Sequence, residues 1–439
     1  MSAIGLTHLD ASSQGITIRH NGKIYDRVYK RVIPFLLLCY VFSYLDRINV
    51  GFAKLNMQSE LGFSDTVYGL GAGIFFLSYF LFEIPSNIII LKAGPRMWIA
   101  RIMITWGLLS GGMMFVHSES MFYLMRFLLG AAEAGFIPGV LYYLNCWFPA
   151  AYKGKATSLF MAGIPIAGMI GAPLSGWILH GLGGVGGLSG WQWVFLIEAL
   201  PSILAGFFCL YWLDNDPKSA TWLSDEEKSI IAADQDREAS VKQVHTIREG
   251  LKDRKTWLLS ALYMTFTIGL YAVSFWLPSI IVQSGIIDPL AVGFLTALPY
   301  TAALVTMCLV GINSDRMRER RWHLAIPAFA GGLGLLVSVI FSHEPMLAVG
   351  GLTVATAGII TCIPQFYVIP PMMLSGHAAA AGFALINSVG SLAGFISPFL
   401  LGYVKSQTGS TNLGLIFVVI CLLIGGSCVL LLSKSAVNR

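Results

Sequence analysis

Long apolar stretches, separated by short polar ones, occupy almost the whole chain. A helix needs about 20 consecutive apolar residues to cross a bilayer core, and stretches of this length recur twelve times. They cover residues 31–53, 66–91, 97–117, 120–147, 155–180, 191–213, 257–283, 289–312, 322–341, 345–370, 376–404 and 411–433. Several contain proline or glycine, which membrane helices tolerate. The pattern predicts an all-α membrane protein with twelve transmembrane helices.

One long polar segment divides the predicted helices into two sets of six. We expect an N-terminal tail at 1–27, a six-helix bundle at 28–213, a linker at 214–256, a second six-helix bundle at 257–433 and a tail at 434–439. The fifth stretch carries Ala167, Gly168 and Gly176, and the eleventh repeats this spacing at Ala393, Gly394 and Gly402. The repeat indicates two bundles related by a pseudo-two-fold axis.

The composition indicates a membrane protein and argues against several other classes of protein. The 439 residues are 56% hydrophobic and 12% charged, whereas soluble domains carry about 25% charged residues. The first 27 residues are polar, so we expect no cleaved signal peptide. The seven cysteines lie in apolar stretches without a C-x-x-C pair, which argues against disulfides or a metal site. The net charge of +5 gives no nucleic-acid signature.

The distribution of positive charge predicts the orientation. With both termini in the cytoplasm, 24 of the 28 Lys and Arg residues fall in cytoplasmic segments. This bias follows the positive-inside rule. We therefore expect a multi-pass protein of the cell membrane, most simply a bacterial inner membrane, with both termini cytoplasmic.

Four ionisable residues lie within two of the apolar stretches: Asp46 and Arg47 in the first, Arg126 and Glu133 in the fourth. On insertion scales a central Asp, Lys or Arg is unfavourable by about 2.5–3.5 kcal/mol. These residues must therefore pair with one another or share a polar cavity. In the fourth stretch Arg126 begins a series with Gly130, Ala134 and Pro138, and we expect that series to form one stripe of a continuous helix.

Polar and aromatic residues offer a lining for such a cavity. Tyr40, Tyr44 and Arg47 share a face of the first helix, and Tyr79 and Tyr271 are candidates from the second and seventh. The seventh to twelfth helices have no central charged residue and offer only uncharged polar groups, among them Gln365, Tyr367 and Asn387. Glu83 and Glu198 each precede a proline, and we assign them structural or gating roles.

The loop after the eighth helix contains Gly311, Asp315 and Arg316, and Arg320 and Arg321 complete the pattern G-x-x-x-D-R-x-x-x-R-R. A positive-inside loop explains the arginines but not the glycine and aspartate together. We assign Gly311, Asp315 and Arg316 a gating role. The corresponding loop after the second helix, residues 94–96, lacks the aspartate.

These motifs resemble those of the anion:cation symporter family of the major facilitator superfamily. The resemblance rests on residues 44–53, residues 126–139 and the loop at Asp315, and it covers the chain from about residue 27. Residues 83–87 and 191–202 look most like the tartrate, phthalate and hydroxyphenylacetate permeases of that family. The resemblance implies twelve helices, alternating access and proton-coupled uptake of an organic anion.

The resemblance also implies roles for individual residues. The acids matching Asp46 and Glu133 take the protons, the arginines matching Arg47 and Arg126 hold the substrate carboxylate, and Asn387 touches the substrate. The remaining candidates for substrate contact are Tyr44, Tyr79, Tyr271, Gln365 and Tyr367. Burial raises the pKa of a carboxyl group, whereas a nearby arginine lowers it. We expect protonation of these acids to free the arginines for the substrate.

Other functions remain open at this level. An uncoupled facilitator or an anion exchanger would share the fold, and a transport-dead sensor would need a larger soluble domain than the linker supplies. A membrane enzyme would need a metal set, a nucleophile with its base, or a cofactor loop. A G-x-G-x-x-G match at 181–186 follows a membrane helix rather than a strand, so no cofactor is expected. Aromatic acids, tartrate-like diacids and sugar acids all remain candidate substrates for a protein that we expect to work as a monomer.

Overall fold

The computed structural model describes residues 7–239, 253–374 and 378–438, and these are almost entirely helical. The helices are α1 (Thr7–Leu61), α2 (Asp65–Ala93), α3 (Pro95–Gly112), α4 (Glu119–Glu133), α5 (Phe136–Trp147), α6 (Ala150–Met161), α7 (Gly163–Gly181), α8 (Gly190–Trp212), α9 (Asp225–Ala239), α10 (Arg254–Gln283), α11 (Pro289–Met317), α12 (Arg321–Ile340), α13 (Pro345–Tyr367), α14 (Pro370–Met373), α15 (Ala378–Thr408), α16 (Asn412–Leu431) and α17 (Lys434–Val437). No strand occurs in these ranges.

Twelve spans are long and apolar enough to cross a membrane, which confirms the predicted number. The fourth span joins α4 to α5, the fifth joins α6 to α7, and the tenth joins α13 to α14. Large apolar side chains such as Leu81, Ile84 and Leu204 remain exposed on the outer surface of the bundle, as expected for a surface that faces lipid. The protein is therefore a multi-pass membrane protein.

Two symmetry-related helix crossings join the six-helix bundles. The second span packs closely on the eleventh, and the fifth packs on the eighth. Gly69 and Gly402 meet at the first crossing, where a Cβ on Gly69 would lie 2.5 Å from a backbone oxygen of the partner helix. Gly293 and Gly176 meet at the second, where the equivalent distance for Gly176 is also 2.5 Å. The two matched glycine pairs agree with the predicted pseudo-two-fold relation.

The fourth span is not one continuous helix, which corrects the stripe predicted from Arg126 to Pro138. Helix α4 stops at Glu133, Ala134 has an extended ψ of 128°, and Gly135 adopts a left-handed conformation with φ of 89°. This conformation favours glycine. The break interrupts the stripe and leaves Glu133 as the last residue of α4, where its side chain is buried.

Helix α9, in the segment that connects the bundles, packs against α1 near the beginning of the first membrane span. Arg27 forms an ion pair with Glu227 at 2.5 Å, and the Tyr25 hydroxyl donates to Asp234 at 2.9 Å. We call the side of the protein that carries α9 the linker end, and the other side the opposite end. The part of the predicted linker at residues 240–252 lies outside the described residues.

Candidate functional site

A cavity of about 750 Å³ lies between the two bundles and extends from Arg47 towards the linker end. Its inner part is lined by Arg47, Phe76, Tyr79 and Glu83 from one bundle and by Tyr263, Thr267, Tyr271, Tyr367, Asn387 and Ser391 from the other. Lys153, Gly154 and Met372 line the mouth. The volume and the mixture of aromatic and polar groups are typical of a small-molecule site.

Two of the four ionisable residues form an ion pair at the inner end of the cavity. The partners are Arg47 and Glu133, and not the adjacent residues Asp46 and Arg47. Arg47 donates to the carboxylate of Glu133, and both side chains are almost fully buried. The Ser43 hydroxyl donates to the same Glu133 oxygen at 3.0 Å. Glu133 reaches this position because α4 ends there. Arg47 is therefore the cation at the inner end of the cavity, and an internal anion neutralises it.

Aromatic rings surround the Arg47 guanidinium. Its Cζ lies 5.5 Å from the ring centre of Phe75, 5.7 Å from Tyr44 and 5.9 Å from Tyr79. Such contacts stabilise a cation and hold the planar group in one orientation. Tyr44 itself does not line the cavity, because its hydroxyl is hydrogen-bonded to Ser274 at 2.7 Å across the two bundles.

Arg126 lies deeper than the cavity and is fully buried. Its Nε donates to the Gly71 carbonyl oxygen at 3.2 Å, and the guanidinium lies 4.9 Å from the Phe75 ring. Neither terminal nitrogen has a hydrogen-bond partner among the described residues. A buried cation without an anion is unfavourable, and both terminal nitrogens of Arg126 remain available to an acceptor group.

Asp46 points away from Glu133, into the first bundle. It accepts hydrogen bonds from Trp106 Nε1 at 2.7 Å, from the Ser110 hydroxyl at 2.9 Å and from the Ser202 hydroxyl. One turn from Ser202, Glu198 accepts from Ser175 at 2.6 Å. Asp46 and Glu133, the two predicted proton acceptors, thus make no direct contact with each other in this structure. The third span supplies two of the partners, which sequence reasoning did not identify.

The second bundle contributes a chain of uncharged hydrogen bonds. Tyr367 donates to the Asn387 side-chain oxygen at 2.8 Å, and the Tyr263 hydroxyl lies 2.9 Å from the Tyr367 hydroxyl. Both Tyr367 and Asn387 line the cavity, as does Tyr271. Gln365 does not, because its amide nitrogen packs beside Gly311 at the eighth span.

Charged and aromatic residues close the opposite end. The Lys54 ammonium is 2.7 Å from the Asp65 carboxylate and 3.5 Å from the Trp276 ring centre. Lys405, from the second bundle, lies 3.5 Å from the same carboxylate oxygen. Tyr68 donates to the Phe275 carbonyl oxygen at 2.8 Å nearby. This lysine cluster, Lys54, Asp65 and Lys405, joins the two bundles. Lys54 had a sequence signal, because it lies seven residues after Arg47 on the same helix face.

The loop that carries the G-x-x-x-D-R pattern is held by its own charges at the linker end. Asp315 and Arg320 form an ion pair at 2.6 Å, and Arg320 also donates to Ser314 at 2.8 Å. Glu319 accepts from the His323 ring and from the Trp322 backbone N–H. Burial raises its pKa, but these hydrogen bonds outweigh burial, so the pKa lies below the ordinary glutamate value. Arg316 is exposed and has no salt bridge among the described residues.

The sequence and the fold match known transporters. The family model described as Major Facilitator Superfamily matches residues 36–398. A Pseudomonas putida protein named "Putative metabolite transport protein NicT" is 46% identical over 425 residues, which are 96% of this chain and 97% of that protein. An Agrobacterium vitis protein named "Putative tartrate transporter" is 42% identical over 435 residues, covering 99% and 96% of the two chains.

A solved structure shows the same fold at low identity. The crystal structure of a bacterial homologue of the human lysosomal transporter Spinster has a TM-score of 0.72 and 16% identity, covering 92% of this chain and 96% of that chain. The names of the sequence relatives agree with the resemblance to anion:cation symporters. The chain therefore belongs to the major facilitator superfamily and is a membrane transporter, not an enzyme.

Proposed function

We propose that the protein imports a small organic carboxylate together with protons, by alternating access. The buried pair of Arg47 and Glu133 at the inner end of the cavity carries this proposal. An arginine in an aromatic site is suited to a carboxylate, because its fork of N–H groups matches the two oxygens. In the substrate-free protein Glu133 occupies that fork, so substrate and Glu133 compete for one cation.

The competition supplies the coupling. A proton on Glu133 removes its charge and releases Arg47, and the substrate carboxylate then replaces Glu133 on the guanidinium. Arg126 has two free terminal nitrogens on the same bundle and adds a second binding point when the site closes. Release of substrate and proton restores the pair of Arg47 and Glu133. Leaving Arg47 unpaired would be unfavourable by about 3–5 kcal/mol, so empty return without the internal pair is suppressed.

The surrounding residues complete the cycle. Asp46 serves as a second proton acceptor, and the donors Trp106, Ser110 and Ser202 hold its buried carboxylate in a fixed position within the first bundle. Asn387 offers its amide group to the substrate, because Tyr367 already donates to its oxygen. Tyr79 and Tyr271 form the aromatic wall.

The orientation follows from the charge bias. With the termini and α9 in the cytoplasm, the cavity faces inward and the lysine cluster closes the outer side. Opening outward then requires the ions of that cluster and the two glycine crossings to separate. The loop of Asp315 and Arg316 borders the inner side and controls its closure.

Uptake into proteoliposomes tests the proposal. Tartrate, phthalate, 4-hydroxyphenylacetate and gluconate are first ranked by how much they raise the Tm of the purified protein. The best binder, as a radiolabelled substrate, should accumulate when the outside is more acidic than the inside and should only equilibrate without the gradient. Equal uptake in both conditions identifies a facilitator, and uptake only into vesicles loaded with an anion identifies an exchanger.

A further inference from the structure

Glu83 is a carboxyl group in the cavity that the proposed transport cycle does not use. It lines the cavity one helical turn from Tyr79 and is only 7% exposed. Its Oε2 has no hydrogen-bond partner, and Glu83 forms no salt bridge with another described residue. A buried acceptor without a donor is unfavourable. A group that enters the cavity is the natural donor.

Glu83 lies closer to the mouth of the cavity than Arg47 does. The Arg47 Cζ lies 5.9 Å from the Tyr79 ring centre, and Glu83 follows Tyr79 by one turn, about 6 Å nearer to the linker end. The cavity therefore has a cation at its inner end and a carboxyl group one helical turn of the second span closer to its mouth than Tyr79. The rings of Tyr79 and Tyr271 lie on the wall beside them.

We infer that the substrate carries a hydrogen-bond donor, a hydroxyl group or a protonated nitrogen, at the end remote from its carboxylate, and that Glu83 binds this donor. The inference rests on the proposed function, because it takes Arg47 as the carboxylate site. A flat ring between the two polar ends fits the aromatic wall. A second carboxylate at the remote end would meet Glu83 with a like charge, so linear dianions are disfavoured.

Four matched probes test this arrangement: benzoate, 4-hydroxybenzoate, 4-(aminomethyl)benzoate and terephthalate. Their affinities for the purified full-length protein are measured by isothermal titration calorimetry. The wild-type protein should bind one of the two probes with a donor at least about tenfold more tightly than benzoate, and terephthalate most weakly. Glu83→Gln should reduce the preference to about threefold or less and improve terephthalate.

Two controls keep the result interpretable. Glu344→Gln makes the same chemical change at an exposed site at the opposite end and should leave the wild-type order unchanged. If Glu83→Gln does not fold, Glu83→Asp keeps the charge but withdraws it by one methylene group, and should weaken the preference for the donor probes over benzoate.

Other results would overturn the inference. An unchanged order of the four probes in the Glu83 variant overturns it and leaves the proposed function intact. Binding of tartrate or gluconate without binding of any of the four benzoates also overturns it. Failure of every carboxylate to bind the wild-type protein would instead overturn the proposed function on which the inference rests.

Discussion

Glu133→Gln removes the charge that neutralises Arg47 while keeping the size of the side chain. The substrate-free variant contains a buried guanidinium without its anion, which is unfavourable by about 3–5 kcal/mol. A bound carboxylate recovers part of this, and one charge-assisted hydrogen bond contributes about 1.5–3 kcal/mol. Because about 1.4 kcal/mol corresponds to a factor of ten, the variant should bind substrate about tenfold to a hundredfold more tightly than the wild type at high pH.

The pH dependence gives the sign of the coupling. In the proposed cycle a proton on Glu133 releases Arg47, so substrate binding to the wild type should strengthen as the pH falls. In Glu133→Gln the affinity should be high and nearly independent of pH. Calorimetric titration of the best-binding carboxylate between about pH 5 and pH 8 measures both. The groups that contact Glu133 are Arg47 and Ser43, and neither changes charge in this range.

Transport assays complete this prediction. Glu133→Gln should retain exchange of substrate across the membrane but lose accumulation on a pH gradient. Glu119→Gln is a matched control, because Glu119 is exposed in the first turn of the same helix, far from Arg47, and it should behave as the wild type. A Glu133 variant that still accumulates substrate on the gradient, or whose affinity follows pH as the wild type does, would refute the competition.

Three further predictions concern other parts of the cycle. Asp65→Asn leaves Lys54 without a counterion and should destabilise the protein by about 1–3 kcal/mol, seen as a lower Tm, whereas an unchanged Tm would show that the lysine cluster does not hold the opposite end. Gly69→Ala places a Cβ 2.5 Å from a backbone oxygen and should cost about 1–3 kcal/mol of stability, while Gly350→Ala, with open space around it, should be neutral or stabilising. Arg126→Lys should weaken substrate binding by about tenfold or more at an unchanged fold, and an unaltered Kd would exclude Arg126 from the site.

The apolar stretches predicted the architecture because length and hydropathy are enough to define a membrane span. The spacing of Gly168 and Gly176 recurs at Gly394 and Gly402, and this repeat predicted the pseudo-two-fold relation that the two helix crossings show. The sequence does not reveal the break in the fourth span, because glycine is frequent inside membrane helices. Only tertiary contacts show that Gly135 adopts a left-handed conformation.

The charged candidates were easy to find and hard to pair. The four charges in the membrane spans were expected to pair with one another or to share a cavity, but the pairing of Arg47 with Glu133 depends on the tertiary fold. The partners of Asp46 were not predictable, since Trp106 and Ser110 are common types of residue in an apolar helix. The proline that follows Glu83 suggests a structural or gating role for this residue. Its position in the cavity wall depends on the rotation of the second span about its axis, which the sequence does not specify.

Proton movement during substrate entry tests the account most directly. Proteoliposomes with a pH-sensitive dye inside receive the best-binding carboxylate from outside, with protein-free vesicles as the control for passive entry of the acid. Wild-type protein should acidify the interior as substrate enters, and Glu133→Gln should exchange substrate without a change of interior pH. Substrate entry through the wild-type protein with no change of interior pH would contradict this prediction.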